Sequence, residues 1–171
     1  MINEDSGNPS WPAFLIDLDL AIREQREGAS GARGKTGTRA FMAIGALLGE
    51  QHSFMHDLES MFWVLFWICV HYDGDGKDVG PTEFDRWNYE NDNTLAELKM
   101  GIVGDDEYFQ QRATENFTLY YQPLVPWVNK LRSKVFAKGW KRDSSDPRLY
   151  SFMKDILLEA QQDIEVRAVG K

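Results

Sequence analysis

Three features predict a mainly α-helical domain with one short β element near its N-terminus. Phe62 to Val70 is apolar without a break, the signature of a helix buried on every side. From Leu149 onward, Phe152, Met153, Ile156 and Leu157 recur at helical spacing and form one apolar stripe. Strand-like runs are too few to build a parallel sheet, and only Ala13 to Leu18 reads as a strand.

Composition bounds the function classes. The 171 residues are 43% hydrophobic and 27% charged, ordinary globular usage and neither a disordered chain nor a membrane protein. Lys and Arg total 19 against 27 Asp and Glu, a formal net charge of −8. A nucleic-acid partner is excluded on that balance, because phosphate neutralisation supplies most non-specific affinity. A single cysteine, Cys69, leaves no internal disulfide and no cysteine-based zinc cluster. Met1 to Pro9 has neither the basic nor the apolar region of a signal peptide, and Met61 to Val70 is about half a bilayer span. An intracellular protein, cytoplasmic or nuclear, with no membrane contact is expected.

Along the chain, residues 1–12 read as a disordered segment. Ala13-Phe14-Leu15-Ile16-Asp17-Leu18 follows Trp11-Pro12 and is short enough for a buried strand ending on carboxylates. Arg23 to Thr38 is rich in glycine, serine and basic residues, a mobile loop on entropic grounds. Arg39 to Glu50 reads as a short helical segment ending near Gly49. Asp57 to Tyr72 is the central helix, with Ser53 or His56-Asp57 as its cap. Tyr72 to Asn93 reads as an irregular excursion and Thr94 to Ile102 as a short amphipathic helix. Asp106 to Phe136 is a longer helical region interrupted near Pro123 and Pro126. Lys138 to Pro147 is a polar loop, Asp146 to Ile164 a final helix, and residues 166–171 a tail.

Three motifs carry possible chemistry. Ala29-Ser30-Gly31-Ala32-Arg33-Gly34-Lys35-Thr36 fits a relaxed phosphate loop. Ala21 to Gly28 separates it from the strand, however, and Gly37 stands where a helix should open, so a flexible basic loop is the preferred reading. Asp73-Gly74-Asp75-Gly76-Lys77-Asp78 resembles a calcium loop but has Lys77, Asp78 and Phe84 where an acidic or amide residue, glycine and glutamate belong. It reads as a solvated turn. The third is an ordered set: a strand delivering Asp17, a basic loop, Gly37-Thr38, and a buried helix opened by His56-Asp57. A strand-end carboxylate beside phosphates is a usual holder of Mg²⁺.

That order resembles the C-terminal lobe of a protein kinase, beginning just before its metal-binding Asp-Phe-Gly element. Leu15 to Ala21 is similar to Leu-Ile-Asp-Phe-Gly-Leu-Ala, with Leu18 for Phe and Asp19 for Gly. Gly37-Thr38-Arg39-Ala40-Phe41-Met42-Ala43 resembles the end of an activation segment. Asp57 and Ser60 resemble the Asp-x-Trp-Ser motif that opens the central helix. The wording of the three, with His56-Asp57-Leu58-Glu59-Ser60 ahead of an aromatic helix, is most similar to the fungal-type protein kinases.

The resemblance implies a partial kinase-like domain over residues 13–165, a helical bundle around a buried central helix. It implies a family reaction that transfers a phosphoryl group from Mg²⁺-ATP to Ser or Thr hydroxyls of a protein. Asp17 would hold Mg²⁺ bridging the ATP phosphates, with Asp19 as a second carboxylate at the metal. Thr38 would help position the catalytic loop and the substrate hydroxyl. Asp57 would accept hydrogen bonds from the catalytic-loop backbone. Ser30 and Thr36, among Arg23, Arg26, Arg33 and Lys35, would be phosphorylation sites if a phosphate there found an arginine.

Ala-Pro-Glu of the family becomes Ala43-Ile44-Gly45, without the glutamate that pairs with a later arginine. Ahead of Asp17 there is no glycine-rich loop, strand lysine, helix glutamate or His-Arg-Asp loop. The isolated chain is therefore expected to be inactive, since transfer depends on those parts. Two alternatives stand beside this reading. One is a non-catalytic interaction module built on the same lobe, binding a protein substrate or regulator. The other is a small nucleotide-binding protein using Lys35 and Thr36. His52, His56 and His71 lack a metal spacing, with His56 read as a capping or packing residue. Cys69 is read as a buried inert thiol.

Overall fold

In a computed structural model, residues 37–74, 76–141 and 146–168 are described. The expected strand at Ala13 to Leu18, the basic loop up to Thr36, and therefore Asp17, Asp19, Ser30, Lys35 and Thr36, lie outside the described residues, as do the expected disordered segment 1–12 and residues 169–171 of the tail.

The described residues are mainly helical. A 3₁₀ turn at Arg39–Phe41 leads into α1 (Ile44–Leu47) and then α2 (Phe54–His71), the longest helix. A second 3₁₀ turn, Glu83–Asn88, lies in the excursion before α3 (Asp92–Val103) and α4 (Asp106–Asn116). A third, Leu119–Leu124, runs into α5 (Val125–Val135), followed by α6 (Arg148–Gln162) and α7 (Ile164–Ala168). Among the described residues the only extended pairings are isolated bridges, Tyr72 with Asp78 and Ala137 with Gly139.

α2 starts where its sequence can satisfy a helix end. Ser53 is extended, and its backbone N–H donates to Nδ1 of His56 at 3.1 Å, the reverse arm of a capping box. That bond makes Nδ1 an acceptor and assigns the ring hydrogen to Nε2. Phe62, Trp63 and Phe66 then project from one face with no exposed surface. Around Phe66 stand Phe84 at 5.2 Å, Phe117 at 5.5 Å and Trp63 and Phe109 at 6.1 Å, most of them edge-on or tilted, as ring quadrupoles favour. α5 packs on α2, α4 and α6, which closes this core from the C-terminal side.

The expectation that α2 is buried on every side is corrected. Its buried residues occupy one arc, and Met61 on the opposite arc is 63% exposed. Val64 and Ile68, one and two turns on, are only half-buried. Apolar content alone does not say how many neighbours a helix has. Here α1, α5 and α6 reach one side of it.

Two helix ends also differ from expectation. The interruption in the 106–136 region falls at Phe117-Thr118, before the prolines. Thr118 leaves the helix because its N–H bonds to the Cys69 carbonyl at 2.9 Å and its hydroxyl to the Tyr72 carbonyl at 2.8 Å. Pro126 opens α5 instead of breaking it, since the first helical turn needs no N–H donor. The final helix ends at Gln162 rather than Ile164. Asp163 is extended, accepts from Trp127 Nε1 at 2.9 Å, and caps α7 through Glu165 N–H at 2.9 Å.

Candidate functional site

Residues 39–50 run antiparallel to α2 and are tied down along their length. Phe41 meets Trp67 edge-on at 5.7 Å. Further along, the Ile44 N–H donates to Glu59 Oε1 at 2.8 Å. Glu50 then reaches His56 at the first turn of α2, 3.2 Å from its Nε2. Arg39 fixes the start, bonding the Glu90 carbonyl and standing 2.8 Å from Asp92.

The strongest clamp is Lys99 of α3, which is fully buried. Its Nζ donates to the carbonyls of Ala40 at 2.8 Å and Met42 at 2.6 Å. It also lies over the rings of Trp63 and Trp87, 4.6 and 5.3 Å from their centroids, a favourable placement for a cation. Burial pushes the Lys99 ammonium well below its ordinary pKa, and the Glu59 carboxylate pulls it partly back. Glu59, also with no exposed surface, accepts from Trp63 Nε1 at 3.2 Å as well as from Ile44. A buried acid and a buried base from different helices thus hold opposite ends of the same five backbone residues.

Gly45, where the kinase pattern has glutamate, is a close approach. A Cβ there would lie 2.3 Å from Glu50 Oε2 and 2.7 Å from His56 Nε2. The carboxylate at this place is supplied by Glu50, returned by the turn at Gly49 (φ +86°) and by a Glu50 N–H to Gly45 carbonyl bond of 2.8 Å. His56 is 3% exposed and caps α2, as its position suggested. Gly45→Ala is expected to lower stability by about 1–3 kcal/mol, because Glu50 must leave a buried histidine donor unsatisfied. Urea unfolding of the variant measures it. A smaller loss would mean that Glu50 swings aside at little cost.

Thr38 is exposed and itself extended at the start of the 3₁₀ turn, its carbonyl accepting from Phe41 N–H at 2.9 Å. Asp57 lies in the first turn of α2 with its side chain 67% exposed, 3.1 Å from His52 Nε2. Phe41 stands beside Trp67, ten residues and about 15 Å of helix rise from Asp57. Thr38 and Asp57 are thus on packed elements without sharing a contact. Asp57 leaves acceptor lone pairs facing outward at a helix N-terminus. Cys69 is buried, and burial raises its thiol to about 12, which keeps it protonated. In the Asp73 turn, the carboxylate accepts from its own loop at Lys77 N–H, 3.1 Å away. No helix among the described residues is long and apolar enough to cross a membrane.

Glu50, Glu59 and Lys99 were not singled out in the sequence. Two signals were present: Glu59 and Trp63 four residues apart in an apolar stretch, and a lone lysine among Leu95, Ala96, Ile102 and Val103.

The fungal protein kinase family model matches residues 1–69, the part that includes the 3₁₀ turn, α1 and most of α2. No curated protein and no solved structure gives a significant match to the chain.

Proposed function

We propose that these residues form the C-terminal lobe of a fungal-type Ser/Thr protein kinase, whose reaction moves the γ-phosphoryl group of Mg²⁺-ATP to a protein hydroxyl. The observation that carries this reading is the clamp on residues 40–44. The segment that resembles the end of an activation segment is held to the central helix by Glu59 and to α3 by Lys99. Phosphoryl transfer is mostly positioning and charge neutralisation, so a rigid platform under the substrate-facing segment is what this lobe contributes. Asp57, facing outward at the start of α2, suits a receptor for backbone N–H groups of a catalytic loop.

Asp17 and Asp19 would hold the metal, and a pair of carboxylates suits Mg²⁺. Bound there, Mg²⁺ would neutralise phosphate charge.

The 171 residues assayed with Mg²⁺-ATP and a Ser/Thr acceptor peptide are expected to transfer no phosphate. A longer product that also carries a glycine-rich loop, a strand lysine, a helix glutamate and a His-Arg-Asp loop is expected to turn over at about 1–100 per second. Asp17→Ala in that product should lower the rate at least about 100-fold. Turnover at that rate by the 171 residues alone, unchanged by Asp17→Ala, would overturn the reading.

The second reading, a non-catalytic interaction module, draws support from Met61, Val64 and Ile68 on the uncovered arc of α2. Stable folding with protein binding, but no Mg²⁺-ATP binding even in the longer product, would favour it.

A further inference from the structure

We draw no further inference here: the strongest candidate, the apolar surface patch on α2 formed by Met61, Val64 and Ile68, carries nothing beyond the reading already given, because nothing in the structure shows what covers it.

Discussion

Lys99→Met is expected to lower the unfolding free energy by about 3–5 kcal/mol. Methionine nearly matches the hydrocarbon volume, so little of this comes from a cavity. The loss is polar. The carbonyls of Ala40 and Met42 lose their donor in a place where Nζ has no exposure, and an unsatisfied buried acceptor costs about 1–3 kcal/mol. The ammonium is also removed from beside Glu59, whose carboxylate stays buried between Ile44 N–H and Trp63 Nε1. Against a whole-domain stability of about 5–15 kcal/mol, that is a third or more of a mid-range value, and at the lower end it leaves the variant partly unfolded. Urea unfolding at neutral pH measures it, and a loss below about 1 kcal/mol would mean that water takes over the clamp.

The same residue gives a pH signature of definite sign. Burial lowers the Lys99 pKa in the folded protein below its unfolded value of about 10.4. Between those two values the unfolded chain binds more protons than the folded one, so stability rises with pH across that window. The increment is complete above the ordinary lysine pKa and is lost as pH falls through the lowered one. The stability difference between the wild-type chain and Lys99→Met should therefore widen as pH climbs toward about 10. A difference that is flat with pH would mean that Glu59 and the two tryptophan rings fully offset the burial.

What could be read from the sequence divides along physical lines. The central helix was legible because an apolar run is local, but the sequence puts its start at Asp57 with Ser53 or His56-Asp57 as the cap, and the helix opens three residues earlier, at Phe54, with Ser53 as the cap. Its exposed arc was not, because Met61 and Phe62 are equally apolar and only the placement of α5 and α6 distinguishes them. The breaks at Thr118 and Asp163 depend on partners far along the chain, Cys69 and Tyr72 for one and Trp127 for the other. No window of residues contains that information. Gly45 was legible as a departure from the kinase pattern, but its cause was not. The carboxylate that fills its space belongs to Glu50 and arrives only because Gly49 turns the chain with positive φ. Lys99 would read as a surface residue of an amphipathic helix, and its burial follows from two carbonyls almost sixty residues upstream.

Phe66→Ala is the second substitution with a large expected effect, about 3–5 kcal/mol. Phe66 has no exposed surface and touches rings from four separate parts of the chain: Trp63 on its own helix, Phe84 and Trp87 in the 3₁₀ turn, Phe109 on α4, and Phe117 after it. Removing it costs the transfer free energy of the phenyl group and leaves a void lined by rings held on different elements. Such a void collapses poorly, because three of the rings, Trp63, Phe84 and Trp87, also hold one another edge-on, with Trp63–Trp87 at 5.4 Å and Phe84–Trp87 at 5.1 Å. Phe66→Leu keeps most of the volume and should cost less, about 1–2 kcal/mol. The comparison separates two accounts of the core. If Phe66→Ala and Phe66→Leu are equally mild, the rings repack freely and α2 is one helix among several. If alanine alone is severe, the excursion between α2 and α3 is held to the core through α2, and the platform beneath residues 40–44 is as rigid as its hydrogen bonds suggest. Chemical denaturation of both variants, with near-ultraviolet dichroism as a readout of ring packing, distinguishes them.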